Sequence, residues 1–161
     1  MVASSRYSRL QIGLHWLIAV LILATWWLGD GMGRALRDRA EAGETGITGD
    51  TWHVWLGGAV LLLVIVRLIL RLRTGVPDPL AGTPAPLQLA GTWGHRALYL
   101  LMIVAPTMGA LAWYAGLRQL GDPHVLVANT LMILALGYAV MGLYHHYIRK
   151  DGTLTRMTRG T

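Results

Sequence analysis

Cysteine is missing from all 161 residues. That excludes disulfides, thiolate metal sites, thiol catalysis and covalent cofactor attachment through a C-x-x-C-H motif. Charge is scarce as well. Only 14% of the residues are charged, against about a quarter in an average soluble domain. The net charge of +6 would raise the question of nucleic acid in a soluble protein. Here the basic residues flank apolar runs, which speaks for membrane topology and against a nucleic-acid partner.

What the chain has is apolar sequence, 54% of its residues. A helix needs roughly 20 such residues to cross a bilayer core. Four runs approach this: "IGLHWLIAVLILATWWLG" at 12–29, "HVWLGGAVLLLVIVRLILRL" at 53–72, "HRALYLLMIVAPTMGALAWYAGL" at 95–117 and "HVLVANTLMILALGYAVMGLYHHYI" at 124–148. The first lacks a small-residue cleavage site and leads on to another span, so it reads as a retained span rather than a signal peptide. Pro106 falls inside the third run, where it should kink the helix at a cost that neighbouring helices can absorb. The expectation is one all-α domain over residues 1–161, an integral membrane four-helix bundle in the lipid bilayer.

The connections differ in charge. Arg6, Arg9, Arg67, Arg71, Arg73, Arg96, Arg149, Lys150, Arg156 and Arg159 lie on one side with Asp78 and Asp151. Arg34, Arg37, Arg39 and Arg118 lie on the other with Asp30, Asp38, Glu41, Glu44, Asp50 and Asp122. The positive-inside rule therefore predicts both termini in the cytoplasm. Trp26, Trp27, Trp52, Trp55, Trp93 and Trp113 fall near span ends, as interfacial aromatics do. The Pro- and Gly-rich stretch "TGVPDPLAGTPAPLQLAG" reads as an extended loop between the second and third spans.

This topology gives each histidine a depth. His53 and His124 open the second and fourth spans at the outer edge. His15 and His95 sit at the cytoplasmic ends of the first and third, and His145 and His146 end the fourth. His124 and His145 are about 32 Å apart along a helix axis. Ionisable groups in a span are costly and default to a functional hypothesis. Any one of these histidines, taken singly, is equally explained as an interfacial hydrogen-bonding group. As a set they offer two imidazoles from different helices at one depth, which is how haem b is held without covalent attachment. Zinc fits less well, because its sites take three or four protein ligands. Gly57 and Gly58 after His53, Ala128 after His124 and Gly13 before His15 would leave room for a flat ligand, although close helix packing uses the same residues. Arg9 and Arg67 could pair with haem propionates, or snorkel and set topology.

Four stretches, "YSRLQIGLHW", "HVWLGGAVLLLVIVRLILRL", "GHRALYLLMIVAPTMG" and "HHYIRKDGTLTRM", resemble the bacterial cytochrome b561 family in order and over nearly the whole chain. That family includes membrane superoxide oxidases and is similar to the cytochrome b subunits of hydrogenases and formate dehydrogenases. The resemblance implies a multi-pass protein of the bacterial inner membrane. It implies two b haems in a four-helix bundle and electron exchange with quinone. It assigns His53 and His124 to the outer haem iron and His15 to the inner one. Its expected partner for His15 falls on Tyr138, so fewer than two normally ligated haems are expected: one, with a second if His145, seven residues on, reaches the iron. A tyrosine packed in the core with its hydroxyl bonded across helices is the preferred reading of Tyr138. The connection between the third and fourth spans is also shorter than in superoxide oxidases of the family.

Imidazole at both axial positions leaves no open site on the iron, so the expected role is electron relay. The expected activity is that of a quinone-linked oxidoreductase, with ubiquinone as acceptor and superoxide as one candidate donor. The competing reading is a haem-binding anchor or relay subunit of a larger redox complex, beside a partner subunit or a second copy of the chain. A histidine-based metal transporter is disfavoured, since transporters place ligands at midplane and these histidines lie at span ends.

Overall fold

The structure, a computed structural model, describes residues 7–75, 85–150 and 155. The regular structure of the described residues is entirely helical: α1 (Arg9–Trp27), α2 (Met32–Glu41), α3 (Trp52–Thr74), α4 (Ala85–Tyr114) and α5 (Gly121–Tyr144). A short 3-10 turn, Arg118–Leu120, joins α4 to α5, and a π-turn, His145–Arg149, closes the last helix.

Local chemistry explains several helix ends. Ser8 caps α1 by accepting from the Gln11 N–H at 3.2 Å, while Gln11 Oε1 accepts from the Ser8 N–H at 3.0 Å. This reciprocal pair satisfies two backbone donors that the first turn leaves open. The same Gln11 donates from Nε2 to Thr74 Oγ1 at 2.8 Å, fastening the start of α1 to the end of α3. Gly75 stops α3 with φ 74°, its N–H returning to the Arg71 carbonyl; that left-handed backbone favours glycine.

The four long helices are apolar enough to cross a membrane. They pack in chain order, α1 on α3, α3 on α4 and α4 on α5. Ile18, Val60 and Val64 form the centre, ringed by Leu21, Ile22, Leu63, Tyr99, Met102 and Ile103. Many other large apolar residues point outward, including Val20, Leu23, Leu62, Ile133, Leu136 and Val140. In water this would be a liability, but in lipid it is the expected exterior.

Three features depart from the sequence expectation. α4 begins at Ala85 rather than near residue 95, so Ala85–Gly91 is helical and not loop; residues 76–84 lie outside the described residues. α2 is an additional helix within the first connection. Trp113, at the end of α4, is buried rather than turned outward, 5% exposed, because Arg39 of α2 lies over its indole at 4.8 Å.

Arg39 is buried and gathers the whole connection. Its Nε donates to the Trp113 carbonyl at 3.3 Å. Nη1 donates to Glu44 Oε2 and Thr48 Oγ1, both at 3.1 Å, and to the Thr48 carbonyl. Nη2 donates to the Gly46 carbonyl at 2.7 Å. Asp50 finishes the cap by accepting from Trp113 Nε1 at 2.9 Å and from the Tyr114 hydroxyl at 3.3 Å. A buried guanidinium is tolerated where its donors are matched by oxygens, as here.

Arg39→Ala should lower stability by about 3 kcal/mol, since it removes all the hydrogen bonds and the indole contact of a buried guanidinium, and should raise amide exchange at Gly46 and Thr48. Glu44→Ala should cost under about 1 kcal/mol, because the carboxylate is half exposed. Thermal melting with hydrogen exchange checks both; equal effects would contradict the Arg39-centred account.

Candidate functional site

At the α2 end of the bundle the imidazoles of His53 (α3) and His124 (α5) face one another. Their ring centroids are 6.0 Å apart and their planes meet at 87°. Each is anchored from behind by the backbone of another helix. His53 Nδ1 lies 2.8 Å from the Thr25 carbonyl, and His124 Nδ1 lies 2.8 Å from the Ala105 carbonyl. A carbonyl only accepts, so Nδ1 carries the proton in both rings and Nε2 keeps its lone pair. The Thr25 carbonyl is available because α1 ends two residues later and the Gly29 N–H turns back to Trp26.

The surroundings fit a flat ligand. Gly57, one turn after His53, is half-buried, yet a Cβ there would meet nothing within 4 Å. Ala128, one turn after His124, is likewise half-buried. Trp26 Nε1 donates to Asn129 Oδ1 at 3.0 Å, tying α1 to α5 beside this space. Two imidazole nitrogens each about 2 Å from one metal place their ring centroids about 6 Å apart. The observed separation leaves room for one metal ion held between the two rings. Among the described residues no three His, Asp or Glu side chains converge; the arrangement is a pair.

The opposite half of the bundle holds a second polar group. His15 on α1 is half-buried, with Arg67 and His95 in its neighbourhood. Arg67 donates from Nε to the Tyr99 hydroxyl and from Nη1 to the Gln11 carbonyl, both at 3.0 Å. Arg71 lies over the Tyr99 ring at 5.7 Å. His95 donates from Nδ1 to the Gly91 carbonyl at 2.7 Å, so its Nε2 is the unprotonated nitrogen, as in the first pair.

Tyr138 stands edge-on to His95 with ring centroids 5.1 Å apart. Its hydroxyl donates to the carbonyls of Ala90 at 3.2 Å and Gly91 at 3.4 Å, a cross-helix bond to α4. That oxygen is engaged as a donor. Gly94 makes room for it, since any Cβ at that position would run into the Tyr138 hydroxyl. His145 opens the terminal π-turn, 6.0 Å from the Tyr144 ring. Arg9 is exposed on the first turn of α1.

The imidazole that stands beside Tyr138 belongs to His95 of α4, at the same end of the bundle as His15.

Residues 6–160 match the family described as prokaryotic cytochrome b561. The chain is 43% identical over 153 residues to cytochrome b562 of Cereibacter sphaeroides, covering 95% of each chain. It is 31% identical to a Yersinia pestis protein named "Probable superoxide oxidase CybB", over 94% of this chain and 95% of that one. It is 26% identical to cytochrome b561 homolog 2 of Escherichia coli K12, over 94% of this chain and 90% of the relative.

Gly94→Ala should destabilise the bundle by about 1–3 kcal/mol through overpacking against Tyr138. Combined with Tyr138→Ala, its cost should shrink, a non-additivity that a double-mutant cycle in detergent reads directly. Strict additivity would show that the two positions do not touch.

Proposed function

The chain belongs to the prokaryotic cytochrome b561 family, a family of multi-pass membrane haem proteins, and from its paired imidazoles we propose a particular electron carrier. Haem b sits between His53 and His124 near the outer membrane face. His15 and His95 would hold a second haem about 20 Å deeper, where Arg67 and Arg71 could pair with its carboxylates. Both termini are cytoplasmic and the membrane is the bacterial inner membrane. Electrons pass from an outer-side donor to ubiquinone at the cytoplasmic side.

The observation that carries this reading is the 6.0 Å separation of two imidazoles whose Nδ1 atoms are both held by carbonyls. Bound there, haem would supply reversible one-electron oxidation and reduction. The chain does the rest. The two imidazoles would hold the iron from both sides, which would favour electron relay over oxygen binding. Their Nδ1–H···O=C bonds fix ring orientation and make Nε2 a better donor. The apolar faces of α3 and α5 keep water away. His95 in the deeper pair follows from its depth, its free Nε2 and its place beside the position the family resemblance points to. His145 is the competing partner for His15.

A second reading has its own support. The cap exposes Asp30, Asp38, Glu41, Glu44 and Asp122 against Arg34, Arg37 and Arg118. The α4–α5 link is a single short turn. An excess of acidic groups slows an anion such as superoxide and leaves the face open to a protein donor. In that case the chain is the relay subunit of a larger complex.

Haem content per chain, measured by pyridine haemochrome, tests the ligand sets. Wild type should hold two. His53→Ala or His124→Ala should remove one, His15→Ala or His95→Ala the other, and His145→Ala neither. A loss on His145→Ala with none on His95→Ala would move the deeper ligand to the end of α5. A colourless wild-type preparation, with haem supplied during expression, would end the proposal. Fast reduction of the purified protein by superoxide, at a rate that falls with ionic strength, would favour the small-anion donor, and a slow rate that rises with ionic strength the protein partner.

A further inference from the structure

The imidazoles of His53 and His124 do more than face each other; their planes are nearly perpendicular, at 87°. A histidine side chain can spin about its ligating bond, so something must hold this angle. The Nδ1–H bonds to Thr25 and Ala105 supply a direction. The two rings differ in the space that lets them obey it. A Cβ at Gly29 would stand 3.5 Å from Cε1 and 3.6 Å from Nδ1 of His53, an ordinary contact. A Cβ at Gly109 would stand 3.1 Å from Cε1 and 3.3 Å from Nδ1 of His124, tighter than nine in ten real contacts. The His124 ring therefore lies against bare α4 backbone. Ala105, whose carbonyl it uses, is one helical turn before Gly109, so anchor and gap share one face of α4. Gly13, Gly58, Gly137 and Gly142 have nothing within 4 Å; Gly109 is not simply one of many loosely packed glycines.

We infer that Gly109 is a positioning residue that holds the His124 imidazole perpendicular to that of His53, making the iron between them a highly anisotropic low-spin centre. The inference rests on the reading that this pair ligates haem iron. Its physical basis is orbital overlap. Two parallel imidazoles donate into the same iron d orbital, split the pair of orbitals strongly and give three resolved rhombic g components. Two perpendicular imidazoles donate into different orbitals, leave them nearly equal in energy and give one large g feature with the others broadened away. An alanine at 109 must push the ring, and the ring can yield only by turning or by lengthening its bond to Ala105.

Electron paramagnetic resonance of the oxidised full-length protein in detergent tests this. The signal of this haem is the one that disappears in His53→Leu. In wild type it should be a single large-g feature. In Gly109→Ala, with haem content retained, it should shift to smaller g and towards three lines. Gly137→Ala should leave it unchanged. An unshifted feature in Gly109→Ala overturns the inference. So does a rhombic wild-type signal, which decides the matter even if Gly109→Ala fails to fold. If no signal disappears in His53→Leu, the ligand assignment itself fails, an outcome distinct from the other two.

Discussion

Everything at this site depends on a backbone carbonyl accepting from an imidazole across a helix boundary. In lipid a polar group without a partner costs several kcal/mol, and loops cannot supply one. His53 and His124 meet that constraint with one nitrogen each, on Thr25 and Ala105. The other nitrogen is then left unprotonated. One interaction thereby fixes tautomer and orientation, and it does so from rigid helices.

The helix order gives the two polar centres their different partners. α1 packs on α3, α3 on α4 and α4 on α5. The first pair joins α3 to α5, helices that are not consecutive, and the deeper group joins α1 to α4, also not consecutive. Each centre thus sits across the bundle rather than between consecutive helices. The small apolar core of Ile18, Val60 and Val64 lies between them along the chain. Arg39 plays a separate part: it locks the α1–α3 connection over Trp113, which keeps the turn at Gly29 close to His53.

Much of this was legible in the sequence, and for physical reasons. The four spans follow from hydropathy, because lipid demands long apolar helices. The pairing of His53 with His124 at one depth followed once the spans were placed. α2 was not legible: it is polar, and its helicity depends on Arg39 reaching oxygens in residues 44–48 and Trp113 on α4, which are tertiary contacts. The early start of α4 was hidden because Ala85 and Pro86 end a Pro-rich stretch that reads as loop, although proline is well suited to a first helical turn. The burial of Trp113 was not legible either, because position along a span does not reveal what packs above it. Ring angles and the gap at Gly109 are three-dimensional facts with no counterpart in spacing.

The central claim is that one iron is clamped between His53 and His124. An anomalous-scattering map at the iron edge, from crystals of the purified protein, tests it most directly. The account predicts a peak between the two Nε2 atoms, about 2 Å from each. A map whose iron peaks all lie away from this pair, with the two rings turned apart, would contradict it.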